Sequence, residues 1–206
     1  MNKVVVLKYE MGNTDSVVRA LERCGGNVIL SNSEFDFEAA THIVLPGVGA
    51  FEKGMKNINE LGIRSLLEEK VLRQKIPFLG ICLGMQLLAE KGFEKGENDG
   101  LGWVEGSVSA FKKTLKNERI PHIGWNQVNF NDSEPLYDNI QQGSDFYFVH
   151  SYHFECADKS NIISQTPYCG EFISSIKKDN IYGVQFHPEK SQGIGTKLLK
   201  NFLSFA

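Results

Sequence analysis

The sequence predicts an α/β fold, a three-layer sandwich with a mainly parallel central sheet and a small antiparallel patch. Three observations predict it. Several short segments are apolar throughout, the pattern of strands buried on both faces of a parallel sheet. In the first half of the chain these alternate with segments of helical periodicity, as βαβ units require. After Trp103 the helical signals give way to short strand signals bounded by turn residues.

Taken in order, residues 3–7 (Lys-Val-Val-Val-Leu) read as a first buried strand. Gly12, Asn13 and Thr14 offer turn and N-cap chemistry, and Val17, Leu21 and Cys24 share one face of the helix that follows, stopped by Gly25-Gly26. Residues 27–31 and 42–45 predict the second and third strands, the latter ended by Pro46-Gly47. A long helical stretch follows, broken at Gly62, with Ile63, Leu66, Leu67 and Val71 on one face of its second part. Residues 76–81 form the fourth strand, Cys82 sits at its end, and residues 83–91 are expected to be helical. Strands are then expected at 104–111, 128–130, 146–149, 162–165, 172–177 and 182–186. A last helix, 194–204, has Ile194, Leu198 and Phe202 on one face.

The 206 residues, 41% hydrophobic and 23% charged, suit one domain spanning 1–206 with a full core. Net charge is −3 and the longest basic runs are pairs, so nothing marks a nucleic-acid surface. The first apolar run is too short for a signal peptide or a membrane span. No cysteine pair has C-x-x-C spacing among Cys24, Cys82, Cys156 and Cys169, which suggests free thiols in the cytoplasm. Asn131-Asp132-Ser133 reads as a surface turn. His150 and His153 make a poor metal site without supporting thiols or carboxylates, and no metal or organic cofactor is expected.

Gly80 and Gly84 flank Cys82 at −2 and +2, the spacing of a nucleophile elbow, in which the glycines let a strand and a helix crowd together around a strained central residue. A lone cysteine in this setting fits a small buried residue as well as a nucleophile. His187-Pro188-Glu189 changes the balance. A strand delivers His187 at its end, Pro188 stops the pairing, and Glu189 can turn back onto the second imidazole nitrogen, completing a Cys-His-Glu triad. Pro46-Gly47-Val48-Gly49 follows the third strand and is expected at the same sheet edge. A main-chain N–H there, at Val48 or Gly49, and that of Leu83 would hold an oxyanion.

With these pieces the sequence resembles the class I (triad) glutamine amidotransferases over essentially its whole length, a family with a flavodoxin-like sandwich. The resemblance rests on Gly80-Ile81-Cys82-Leu83-Gly84-Met85-Gln86, Pro46-Gly47-Val48-Gly49 and Phe186-His187-Pro188-Glu189. It implies that Cys82 attacks the carboxamide of L-glutamine, releasing ammonia. It further implies that Gly47, Gly49, Leu83, Gln86, His150, Ser151 and Tyr152 form the glutamine site.

Pro121-His122-Ile123-Gly124-Trp125-Asn126 and the stretch from Tyr182 to Ser191 are similar to the glutaminase subunits of imidazole glycerol phosphate synthases. That similarity implies a separate cyclase subunit of (β/α)8-barrel type, paired one to one, touched by Met11, Asn13, Trp125 and Asn126. The indole of Trp125 is expected on a Gly-Trp-Asn turn, as an interface anchor. Lys8, Glu10 and Thr14 depart from the family's usual Asp-Tyr-Gly-Met-Gly-Asn-Leu. The departure leaves open a paralogue that feeds ammonia to another acceptor, such as a surface-glycan sugar.

Overall fold

The computed structural model describes residues 2–12, 14–115 and 118–205. Its elements run β1 (Lys3–Leu7), α1 (Thr14–Arg23), β2 (Asn27–Ser31), α2 (Glu34–Glu38), β3 (His42–Leu45) and α3 (Phe51–Glu60). Then come α4 (Arg64–Leu67), continued by a π-helical segment Glu68–Arg73, β4 (Phe78–Ile81), α5 (Leu83–Gln86), β5 (Lys91–Gly92), β6 (Asn98–Asp99) and β7 (Gly106–Ala110). The second half adds β8 (His122–Gln127), β9 (Asn129–Phe130), β10 (Asp145–His150), β11 (Tyr152–Cys156), β12 (Ile162–Thr166), β13 (Phe172–Lys178), β14 (Ile181–Val184) and α6 (Gln192–Leu203).

Strands β2, β1, β3, β4 and β14 lie side by side and parallel. Antiparallel β13, β11 and β7 extend the sheet, and β8 pairs with β10 in a separate two-stranded ribbon. The alternation of β1 defines the layers. Val5 and Leu7 point into one core with Phe37, Phe51, Ile58 and Leu67, below helices α2 to α4. Val4 and Val6 point into the other with Val17, Leu21, Leu198 and Phe202 of α1 and α6. That second core continues into Phe146 and Phe148 of β10, so the ribbon is packed on the same side as α1 and α6.

The expected helix 83–91 ends at Gln86. The carbonyls that would carry it onward are taken from the side: Leu101 N–H donates to Leu87 O, Trp103 and Val104 N–H to Leu88 O, and Gly102 N–H to Ala89 O. Trp125, expected on a turn, lies on β8. Within that strand Ile123 and Trp125 face outward, at 60% and 47% exposure, while His122 on the other face is buried. The chain also forms α2, β5, β6 and β11, which periodicity did not predict.

His122 and His150 are opposed across the β8–β10 ribbon, with Nδ1 of the first 3.1 Å from Nε2 of the second. Burial pushes His122 down to about 4. It pushes His150 down to about 3, against the opposing hydrogen bond to the Tyr152 carbonyl. Both rings are neutral in the fold and would titrate near 6.5 in the unfolded chain. Above that pH they cost nothing; below it the unfolded chain binds protons that the fold refuses, so stability falls as pH drops from about 6.5 toward 4. Denaturant unfolding between pH 7 and pH 4.5 should show this loss, up to about 1.4 kcal/mol per pH unit for each histidine. The slope should flatten in His122→Phe; an unchanged slope would contradict it.

Candidate active site

Four adjacent parallel strands end at one edge, where ligands of open α/β sheets gather. β1 runs into Tyr9 and Met11, β3 into Pro46–Gly49, β4 into Cys82, and β14 into Gln185 and His187. Cys82 has φ +53° and ψ −109°, in the left-handed half of backbone space where a residue with a Cβ is strained. Two glycines make the turn possible. A Cβ on Gly80 would lie 2.6 Å from Gly84 O, and one on Gly84 would lie 1.8 Å from Leu45 O. Without side chains at both, α5 seats directly on β3 and β4.

His187 follows β14, its N–H donating to Tyr147 O at 2.8 Å, and a 3-10 turn at Pro188–Lys190 folds Glu189 back beneath the ring. His187 Nδ1 donates to Glu189 Oε1 at 2.8 Å, and the two side chains are only 3% and 4% exposed. That bond fixes the tautomer and leaves Nε2 for the sulfur side. Burial opposes a charged imidazole here, but the hydrogen bonding and charge of Cys82 and Glu189 outweigh it and raise His187 to about 10. Nε2 nevertheless has no hydrogen-bond partner of normal geometry among the described residues. The thiol is therefore near enough to couple electrostatically to the ring without being aligned on it.

Cys82, 6% exposed, opens onto a cavity of about 560 Å³. Val48, Gly49, Leu83, Gln86, His150, Ser151 and Tyr152 line it, so the structure gathers these sequence-predicted residues around the sulfur. Gly47 is not among its walls. It borders a void of about 10 Å³ with Met11, His187 and Glu189, and a Cβ there would stand 2.3 Å from the Tyr9 hydroxyl and 3.1 Å from Leu83 Cβ. The His150 ring is spent internally, on His122 and the Tyr152 carbonyl, so only its main chain and ring face remain for a ligand.

Two of the three expected oxyanion donors are engaged elsewhere. Val48 N–H donates to Met11 O at 3.2 Å and Leu83 N–H to Gly47 O at 3.3 Å. Met11, expected on a partner surface, is 5% exposed and serves instead as the anchor of this strand. Asn13, expected beside it, lies outside the described residues. Trp125 does present surface, while Asn126 is half-buried and turned toward His122 at 3.2 Å.

Several residues of the site escaped the sequence reading, among them Ala50, Val149, Lys190, Glu94 and Gln185. Glu94 brings the cavity a carboxylate, its Oε2 accepting from Phe51 N–H at 2.8 Å at the start of α3. Only its position three-dimensionally beside α3 reveals it, because residues 87–94 do not continue the helix. Gln185, fully buried, donates from Nε2 to Cys82 Sγ at 3.6 Å. No group of three or more metal-binding side chains occurs among the described residues, and no helix among them is long and apolar enough to cross a membrane.

Comparison with known proteins assigns this architecture. The glutamine amidotransferase class-I family model matches residues 5–205. The chain is 46% identical to imidazole glycerol phosphate synthase subunit HisH 1 of Campylobacter jejuni, covering 97% of this chain and 98% of the relative. It is 46% identical to subunit HisH of Aquifex aeolicus, over 97% and 95% of the two chains. Among solved structures, PurLQS from Thermotoga maritima superposes with a TM-score of 0.71 at 19% identity, over 98% of this chain and 97% of that one. A structure described as a glutamine amidotransferase gives 0.72 at 18% identity, over 97% and 96%. The structural likenesses bear on the fold, and the sequence relatives on the lineage: the chain belongs to the class I glutamine amidotransferases and, within them, to the HisH glutaminase subunits of imidazole glycerol phosphate synthase.

Proposed function

We propose that this chain hydrolyses L-glutamine through Cys82, His187 and Glu189 and passes the ammonia to a separate cyclase subunit in histidine biosynthesis. The observation that carries the reading is the meeting of a strained Cys82 with a buried, carboxylate-backed His187 at the ends of the paired strands β4 and β14. Cys82 and Glu189 together favour the charged form of the His187 imidazole. The proton that the leaving nitrogen needs is thus in place before attack.

The sulfur attacks the carboxamide carbon and the C=O electrons move to oxygen. Collapse of that oxyanion breaks the C–N bond while His187 Nε2 gives its proton to the departing ammonia. His187, now neutral, takes a proton from water, whose oxygen attacks the γ-glutamyl thioester and releases glutamate and Cys82. Glu189 holds the ring in one tautomer throughout. Replacing Cys82 by alanine should abolish glutamine-dependent turnover by the assembled complex while added ammonium still supports the cyclase reaction. Persistent glutamine-dependent turnover would sink the assignment.

The cavity suits the amino-acid end of glutamine as well. Glu94 sets a carboxylate at its wall for the α-ammonium group, and Gln86 and the Ser151–Tyr152 main chain supply polar partners. Glu94→Gln should raise KM for glutamine by about tenfold or more with a smaller change in kcat, the size of one charge-assisted hydrogen bond. An unchanged KM would remove Glu94 from the site.

In the resting strand 46–49 the Val48 N–H is held by a carbonyl, as is the Leu83 N–H across from it, so neither is free for an oxyanion. Glycines on both sides of Val48 allow its peptides to rotate at little steric cost, so binding of the cyclase and its nucleotide selects the form that aims an N–H at the oxyanion. The surface for that partner is the outward face of β8, where Ile123 and Trp125 are exposed and Ile123 shares a cleft with the exposed Leu115, and we pair it one to one with a (β/α)8-barrel cyclase. Every relative named above is a subunit of imidazole glycerol phosphate synthase, and nothing among them supports the sugar-acceptor alternative. Glutaminase activity of the isolated chain should be lower than in the liganded complex by about 10²-fold, the worth of one oxyanion donor. Full activity without a partner would refute the switch.

A further inference from the structure

Gln185 directly follows β14, two residues before His187, and takes no part in the steps above. Its Oε1 accepts from Gln86 Nε2 at 3.0 Å and its Nε2 donates to Cys82 Sγ at 3.6 Å. The orientation of this amide is dictated from outside inward. Gln86 Nε2 also donates to the Tyr152 carbonyl at 3.0 Å, and a main-chain carbonyl can only accept. Gln86 therefore has to present its NH2 group there, its other N–H requires an oxygen from Gln185, and the Gln185 NH2 is left facing the sulfur.

The Tyr152 carbonyl is itself fixed by a second chain. It accepts from His150 Nδ1 at 2.8 Å, which makes His150 Nε2 the acceptor for His122 Nδ1 at 3.1 Å. His122 Nε2 then accepts from Asn126 Nδ2 at 3.2 Å, and that amide also donates to Pro167 O at 3.1 Å. Both outer anchors are main-chain carbonyls, so each imidazole and amide in the chain has a single satisfactory orientation. Burial keeps the two imidazoles neutral, with one donor and one acceptor each.

We infer that Gln185 is a positioning residue for Cys82, its NH2 group, oriented by Gln86 and the Tyr152 carbonyl, directing the sulfur and favouring the thiolate over the thiol. The inference rests on Cys82 being the nucleophile. His187 and Tyr9 couple directly to the sulfur, and Glu94, His150, Tyr152 and Lys190 line the cavity it opens onto; Tyr9 is kept protonated by burial and by the charge of Cys82. His187 thus supplies the counter-charge, while Gln185 supplies a neutral donor from another direction. A donor to an anion favours the charged form.

The test is Gln185→Met, which keeps the volume and removes the donor, in the full chain assembled with its cyclase. The rate of Cys82 alkylation by iodoacetamide should move its pH midpoint upward by about one unit, or about tenfold less thiolate on the acid side. The kcat for glutamine should fall by about tenfold, with KM changed by less than about twofold. An alkylation profile superimposable on that of the unsubstituted chain overturns the inference. If Gln185→Met fails to fold, the side-chain amide protons of Gln185 in the unsubstituted chain give the answer by NMR. They should shift as Cys82 titrates and stay still over the same range in Cys82→Ala; no shift in the unsubstituted chain overturns the inference. A silent Gln185 beside an inactive Cys82→Ala sinks only this inference, whereas an active Cys82→Ala sinks the nucleophile itself.

Discussion

The site depends on how closely the first turn of α5 comes to β3. A side chain at Gly84 would stand 1.8 Å from the Leu45 carbonyl, so only glycine lets α5 start where it does. That start forces Cys82 to φ +53° and throws its thiol across the end of β14. The register does the rest: Gly80 of β4 lies opposite both Leu45 of β3 and Gly183 of β14. Cys82, His187 and the 46–49 strand therefore arrive at one edge without any long loop to position them.

Around that point the polar groups are satisfied with little slack. Glu189 fixes His187, Gln86 fixes Gln185, and the His122–His150 pair fixes the carbonyl on which Gln86 rests. Such a network is worth having only if each member has a partner, since an unpaired polar group in this interior costs about 1–3 kcal/mol. The places where pairing is incomplete are informative. His187 Nε2 and Glu189 Oε2 are buried without partners among the described residues, on the two sides of the His187–Glu189 hydrogen bond. The Val48 and Leu83 N–H groups show the opposite condition, each being paired to a main-chain carbonyl. On the proposed mechanism, an oxyanion held by these two groups would draw them away from those carbonyls.

The parallel half of the fold was legible because its signals are local. The residues of β1, β2 and β3 are apolar runs ended by turn chemistry, and their bounds match those read from the sequence. The spacing of Gly80, Cys82 and Gly84 and the run His187-Pro188-Glu189 were legible for the same reason. What escaped notice depends on tertiary partners. Helix α5 stops at Gln86 because residues 101–104 claim the next carbonyls, and this end carries Glu94 into the cavity. Strand β8 is inverted, with His122 inside and Ile123 and Trp125 outside, so its pattern reads as a turn unless the surface it serves is considered. Gln185 lies within a strand-end motif whose neighbours drew the attention, and only its distance to Sγ sets it apart.

The central claim is that the sulfur of Cys82 forms a covalent bond with the γ-carbonyl of glutamine. The most direct measurement is mass spectrometry of the chain, acid-quenched within the first turnovers of the complex with glutamine and digested to peptides. The account predicts a γ-glutamyl group on the peptide that contains Cys82, absent when glutamate replaces glutamine. Steady glutamine hydrolysis with no adduct on that peptide, or with the adduct on Cys24, Cys156 or Cys169, would contradict it.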